Sequence, residues 1–268
     1  MKINSIIFIL SFILLFSCAT VETKVNPEIS SIEIDENKKF LTYLENDWQK
    51  TLDDNPLFAS YTGDKRNNNK ISSNDIDNFN KGKKSDEQSL KLLKSIDISK
   101  LSEENKLNYK LKEFDLLSSI GTKDFPTYYL RLNQRGGIQS FYETGNRLVY
   151  TSKQDYFDWL NRLKQFETNI YNALEINKEG LLNGHTQPKL VTRGVIAQLK
   201  SIIESDIDSN PYMKVFLDAD DSLLTKDEKA NLINEAKELI QNKINPAYEK
   251  LFNFLKDDYL PNSRDSIG

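Results

Sequence analysis

Apolar side chains recur at three- and four-residue intervals along most of this chain. That period commits it to helices, each packed through one face. Phe40, Leu41, Leu44, Trp48 and Leu52 form the first stripe, which stops before Pro56. Tyr156, Trp159, Leu160, Leu163, Phe166, Ile170 and Leu174 form the longest. Only 10 Gly and 7 Pro occur in 268 residues, too few turn formers for a sandwich of many short strands. The expected class is mostly α, a multi-helix domain over residues 35–268.

Local signals mark where the helices begin and end. Asn55-Pro56 reads as the N-cap and first position of a short helix to Tyr61, ended by Gly63. Residues 64–74 read as an Asn-rich loop. Ile76, Phe79, Leu90, Leu93 and Ile96 predict a helix across the polar 81–84 stretch. Ser102 caps the next, with Glu103 and Glu104 in the first turn, where the helix dipole favours carboxylates. Its apolar face is Leu107, Leu111, Phe114 and Leu117. Thr151 with Gln154, and Thr225 with Glu228, read as capping boxes. Val191, Val195, Leu199 and Ile202 predict a helix after Pro188. The stripe Leu232, Ala236, Leu239, Ile240 and Ile244 runs into Pro246, which should kink or split it. Over 125–150 the texture changes: Tyr128, Leu130 and Leu132 alternate, and Arg135-Gly136-Gly137 can turn the chain back. A small β-hairpin or an ordered irregular segment is expected there.

The N-terminus carries an address. Residues 6–16 are an apolar run directly after Met1-Lys2, well short of the roughly 20 residues that span a bilayer. Leu15-Phe16-Ser17 before Cys18 fits a lipobox. Residues 1–17 therefore read as a lipoprotein signal peptide, Cys18 as the lipid anchor, and 18–34 as the acylated cysteine and a flexible tether. Such an anchor attaches the protein to the bacterial cell envelope, on the outer membrane or facing the periplasm, without threading it through a membrane. Cys18 is the only cysteine. Once it is acylated, no thiol remains for a disulfide, a thiolate zinc site or a nucleophile.

The remaining chemistry is narrow. Thirty-six basic against 40 acidic residues, a net charge of −4, argue against nucleic acid as a partner. His185 is the only histidine, so an HExxH helix or a two-histidine metal site is excluded within this chain; it reads as a turn residue. Asp218, Asp220 and Asp221 lack the glycine and glutamate spacing of a calcium loop. Gly136-Gly137 lacks the GK[ST] ending of a phosphate loop. The segment around Asn133, Gln134, Arg135, Gly136 and Gly137 sets polar groups among aromatics, as substrate clefts do and as ordered loops also do.

Segments 54–64, Leu107-Asn108-Tyr109, Leu132-Asn133-Gln134 with Gly136-Gly137, and 156–163 occur in an order and spacing seen in one family. So do Glu179-Gly180 with Gly184, Pro188-Lys189, and Leu260-Pro261 with Arg264. Together they resemble the N-terminal half of the bacterial domain of unknown function 885 (DUF885) family, across nearly all of the chain after residue 18. Members of that family are mostly exported or lipid-anchored, largely helical and similar to zinc metallopeptidases. The resemblance implies a metal-dependent hydrolase of peptides or related amides. The family's histidine-and-glutamate motif lies in the C-terminal half, so zinc is implied for that missing half. No catalytic residue, metal ligand or cofactor is expected in this chain. On this reading the chain is an incomplete half of a larger α-helical metallopeptidase-like fold, inactive alone, and its missing half is a partner. Asn133, Gln134, Gly136 and Gly137 are the candidate substrate-binding wall. A half made without its partner should also expose apolar surface. The alternative is a complete, non-catalytic helical lipoprotein that binds peptides or envelope partners.

Overall fold

A computed structural model describes residues 27–267. Helix α1 (Pro27–Asp54) begins inside the stretch assigned to the tether, so 27–34 is helical, while residues 18–26, Cys18 among them, lie outside the described residues. Helix α2 (Pro56–Tyr61) follows as the sequence predicts, ended by Gly63 at φ +89°. Asn55 does not cap it, because its amide turns back to donate to Thr51 O at 2.9 Å.

Helices α3 (Ile76–Leu93) and α4 (Glu103–Thr122) pack against each other and against α1. Asp75 and Ser102 cap them, accepting from Asn78 N and Asn105 N. Phe40, Tyr43, Leu93, Ile96, Leu101, Tyr109 and Leu116 form their shared core. The predicted face of α4 is turned the other way. Leu107, Leu111, Phe114 and Leu117 are 60, 55, 67 and 48% exposed, whereas Tyr109 and Leu116, on the opposite side, are buried. Periodicity located a stripe on this helix, but the stripe has no neighbour among the described residues.

The main core is built on α6 (Lys153–Leu182), whose predicted face, Tyr156 through Leu174, is buried throughout. Helices α9 (Lys226–Leu239) and α10 (Asn245–Phe254) pack over it and α7 (Lys189–Ile203) packs on α10, with Val195, Leu199, Leu232, Ala236, Tyr248 and Leu251 in the shared core. The predicted Thr225–Glu228 capping box closes both ways, with Glu228 N donating to Thr225 Oγ1 at 3.2 Å. Lys153 and then Thr225 pull the Glu228 carboxyl down to a pKa of about 2. Pro246 splits the helix as expected: a wide π turn over Ile240–Ile244 precedes it. No strand forms among the described residues over 125–150. The hairpin alternative fails and the irregular one holds: 3-10 turns at Thr127–Leu130 and Ile138–Ser140 lead into α5 (Tyr142–Arg147).

The start of α6 also differs from its predicted cap. Gln154 reaches forward to Asp158, and Asp155 takes the capping role. Its Oδ2 accepts from Thr151 N at 2.8 Å and Ser152 N at 2.9 Å, and Lys65 reaches both carboxylate oxygens at 2.7 Å. The short carboxylate satisfies two orphan amides and an ammonium at once. Burial pushes the Asp155 pKa up, but the Lys65 hydrogen bond, followed by those of Thr151 and Ser152, outweighs it and leaves the group below its ordinary value. A carboxyl depressed on folding contributes stability above its unfolded pKa of about 3.9, and that stability is lost as pH falls through the lower folded value. Asp155→Asn is therefore expected to lower the melting temperature at pH 7 and to flatten its fall below about pH 4. Parallel thermal melts from pH 7 to 2 check this; parallel curves for the two proteins would refute the assignment.

Candidate functional site

The segment between α4 and α6 is stapled to its surroundings by side chains. Tyr129 is buried over Gly180, and its hydroxyl donates to Glu179 Oε1 at 2.7 Å. A Cβ on Gly180 would stand 3.1 Å from Tyr129 Cβ and 2.9 Å from His185 O, so this crossing requires glycine. Asn133 organises the turn that follows. Its Oδ1 accepts from Arg135 N at 2.9 Å, and its main-chain oxygen accepts from Gly137 N at 3.1 Å and Gln139 Nε2 at 2.8 Å. Buried Gln139 continues to Gln198 on α7, and Gln198 Nε2 donates to Gln134 O at 2.9 Å. From the far side, Tyr248 donates to Ile138 O at 2.9 Å, with Tyr212 hydrogen-bonded to it at 2.6 Å. Burial raises the pKa of both hydroxyls, so they remain protonated donors.

Held this way, the segment leaves a groove of about 410 Å³ between itself and α6. Ala173, Ile176 and Asn177 of α6 form one side, with Asn74 from the Asn-rich loop beside them. Gly136, Gly137, Ile138 and Phe141 form the other. Arg131, Arg135 and Arg147 line it with Glu143 as a lone carboxylate, a positive wall on an acidic protein. Arg147 is paired with Glu143 at 2.7 Å, and Arg131 lies over the Phe79 ring at 5.5 Å.

Two amides in the groove have unmet acceptors. Asn177 Nδ2 donates to Ala173 O at 2.7 Å, and Asn74 Nδ2 to Asn169 O at 2.9 Å. Only an N–H can donate to a carbonyl, so both flips are fixed and each Oδ1 points elsewhere. Neither Oδ1 meets a donor, and both are sealed from solvent. A buried acceptor left unpaired costs about 1–3 kcal/mol, a local cost that the packing of the Asn-rich loop on α6 carries.

The family model described as "Bacterial protein of unknown function (DUF885)" matches residues 56–268. The chain belongs to the DUF885 family. Among solved structures, a Colwellia psychrerythraea protein described as a candidate lipoprotein shares the helical fold, with a TM-score of 0.66 at 16% identity. The match covers 88% of this DUF885 chain and 42% of that chain, so this chain spans less than half the length of its neighbour. No curated protein matches it. No helix among the described residues is long and apolar enough to cross a membrane.

Of the residues singled out in this DUF885 sequence, Gly136 and Gly137 line the groove. Asn133 and Gln134 do not; Asn133 shapes the turn behind it, and Gln134 packs its side chain on Gly194 of α7. Sequence reasoning missed Asn74, Asn177, Arg131 and Arg147. Asn177 sits one turn after Ala173 on a buried helix face, a polar interruption that was the available signal. His185 is exposed at the α6–α7 turn and stacks on Tyr129, ring centroids 5.5 Å apart. Among the described residues, no group of three or more His, Cys, Asp or Glu side chains comes together. The donors among the described residues do not fit a zinc ion.

The two glycines separate by steric test. A Cβ on Gly137 would collide with Gln139 Oε1 and stand 2.8 Å from the main-chain oxygen of Asn133, whereas one on Gly136 meets nothing within 4 Å. Gly137→Ala is expected to cost about 1–3 kcal/mol and to loosen the groove lip; Gly136→Ala should stay within about 0.5 kcal/mol. Urea denaturation of both variants checks this. Equal losses would contradict the geometry.

Proposed function

We propose that this chain is the helical scaffold, and one wall of the substrate cleft, of an exported DUF885 hydrolase anchored by lipid at Cys18 and acting on peptides or related amides. The observation that carries this reading is the groove: a preformed, partly apolar concavity with a few convergent polar groups and a positive wall. The leader ending at Cys18 and the resemblance to zinc metallopeptidases support the envelope location and the reaction class. A zinc ion, which polarises the scissile carbonyl and acidifies bound water, belongs on this reading to the family's C-terminal half. What this chain's own residues do is bind and orient. The arginines draw in an anionic group, and the apolar floor of Ile138, Phe141 and Ile176 excludes water.

The protein incubated with a defined mixture of short peptides should bind some of them saturably and cleave none, with or without added zinc. Hydrolysis that survives a chelator would sink the metal-dependent part of the reading. Failure to bind any peptide would remove the cleft wall. A non-catalytic peptide-binding lipoprotein fits the same groove, because its one carboxylate, Glu143, is already paired with Arg147. Sequencing the locus beyond codon 268 separates the two readings: a continuing frame with a histidine-and-glutamate helix favours the hydrolase.

A further inference from the structure

Helix α4 wears its larger apolar face outward. At about 100° per residue, Leu107, Leu111, Phe114 and Leu117 share an arc of about 120°. All four are exposed, and so is Phe125, three residues past the helix end. The side that packs on α1 and α3 is the opposite one, through Tyr109 and Leu116. Such a stripe marks a surface made for an apolar neighbour. The placement of α4 says which neighbour. Asn37 Oδ1 accepts from Ser102 N at 3.1 Å and from Asn105 Nδ2 at 2.6 Å, the Phe40 ring meets that of Tyr109 at 6.1 Å, and Asp47 pairs with Lys112. These pairs advance together along both helices, so α1 and α4 run parallel with their N-terminal ends side by side. Ten residues of α1, about 15 Å, separate Asn37 from Pro27. Nine more, at most about 30 Å, separate Pro27 from Cys18. The start of the stripe is therefore within reach of a membrane that holds Cys18. The edges of the face balance in charge: Lys106 and Lys110 border one side, Glu104 and Asp115 the other, and Glu103 pairs with Lys106 at 2.8 Å. Attraction to this face is apolar, not electrostatic.

We propose that the Leu107, Leu111, Phe114 and Leu117 face of α4 lies in the surface of the bilayer that holds Cys18, as a second and noncovalent attachment. The proposal rests on the reading of Cys18 as a lipid anchor. An apolar helix face settles about 5–10 Å into the boundary between headgroups and acyl chains, with its axis along the membrane plane. Lys106 and Lys110 lay their stems along the lipid and keep their ammonium groups in water. A tether alone leaves the domain free to tumble. A docked α4 sets which side faces lipid and puts α1 and α3 on the side away from it.

The test uses the full chain, purified in its lipid-modified form and reconstituted into vesicles of phosphatidylethanolamine and phosphatidylglycerol. Ser118 is exposed on the same face of α4. Ser118→Cys offers a single thiol to a spin label, because Cys18 is the only natural cysteine and is acylated on this reading. The intact mass of the purified protein reports that acylation separately. Oxygen concentrates in the bilayer and a nickel chelate stays in water, so the ratio of their collision rates with the label reads depth. The ratio at Ser118→Cys should exceed that at Lys200→Cys, on exposed α7, by about threefold or more. Sodium chloride at about 0.5 M should not lower it, since the contact is apolar. Adding Leu111→Asp and Phe114→Asp should bring it down to the α7 value while the acyl chains keep the protein on the vesicles. If that variant does not fold, Leu107→Asn makes the same comparison. Acylated protein with equal ratios at the two sites overturns the proposal and leaves the anchor standing. A label at Ser118→Cys shielded from both reagents means that protein covers the stripe, a second copy or a further domain, and overturns it as well. An unmodified Cys18 overturns the anchor reading and the proposal with it.

Discussion

Replacing Arg162 by alanine is expected to destabilise the protein by about 3–5 kcal/mol. The side chain is fully buried on α6 and holds the start of α2 and the Asn-rich loop against that helix. Its Nε donates to Lys70 O at 2.9 Å, and its Nη2 donates to Pro56 O at 3.1 Å and to Ser60 Oγ at 2.6 Å. Truncation removes three hydrogen bonds from a charged donor, at about 1.5–3 kcal/mol each, although Pro56 O keeps the Ser60 hydroxyl at 3.0 Å. Burial pushes the Arg162 pKa down, with Asp158 opposing, yet a guanidinium remains charged where an ammonium would be far more easily neutralised. Arg162→Lys should therefore recover only a minor part of the loss, because one ammonium does not span the acceptors that the fork holds. Urea denaturation gives the magnitude, and limited proteolysis should place new cleavage within 64–74. A loss below about 1 kcal/mol for Arg162→Ala would mean that the loop is held by other contacts.

Phe166→Ala is expected to cost about 3–5 kcal/mol and to damage the groove together with the core. The Phe166 ring is fully buried and stacks on Phe141 at 4.2 Å, with Tyr212 and Tyr248 at 6.0 and 6.2 Å. Phe141 itself lines the groove. Removing the ring beneath it leaves a void into which Phe141 can sink, so the floor changes shape. Phe166→Leu fills more of that void and should lose less of both. Calorimetric melts measure the first effect, and short-peptide binding by the folded variants measures the second. An alanine variant that lost stability but kept full affinity would uncouple the groove from the core.

The contrast between α6 and α4 shows what periodicity can and does not convey. Both helices carry an apolar stripe at helical spacing. On α6 the stripe is buried because α9 and α10 cover it, so pattern and partner agree. On α4 the contacts go through Tyr109 and Leu116 to α1 and α3, and the richer stripe faces outward. A repeat identifies a face; it does not say whether anything covers it. Capping boxes behave similarly. Thr225–Glu228 was legible because both partners lie within one turn. At the start of α6 a local box also closes, Ser152 with Asp155, one residue on from the Thr151–Gln154 pair that the sequence suggests, and Lys65, 90 residues away in sequence, adds to it.

The groove was half legible. Its glycine turn stands out between aromatics, and Gly136 and Gly137 do line the wall. Asn133 and Gln134 looked equally polar, yet their oxygens are committed to the turn itself and to Gln198. Asn74 and Asn177 are about a hundred residues apart and meet only once the Asn-rich loop folds onto α6. Asn177 shows as a polar interruption of a buried helix face, whereas Asn74 lies in an asparagine-rich loop with no local signal to set it apart.

The central claim is that the segment before α6 and the Asn177 face of α6 together form a ligand wall. Main-chain amide hydrogen exchange, with and without a saturating mixture of short peptides, tests it most directly. The account predicts slowed exchange over residues 131–147 and 173–177, and near Asn74, with α3 and α4 unchanged. Protection confined to α3 and α4, or no protection at a peptide concentration that saturates binding, would contradict it.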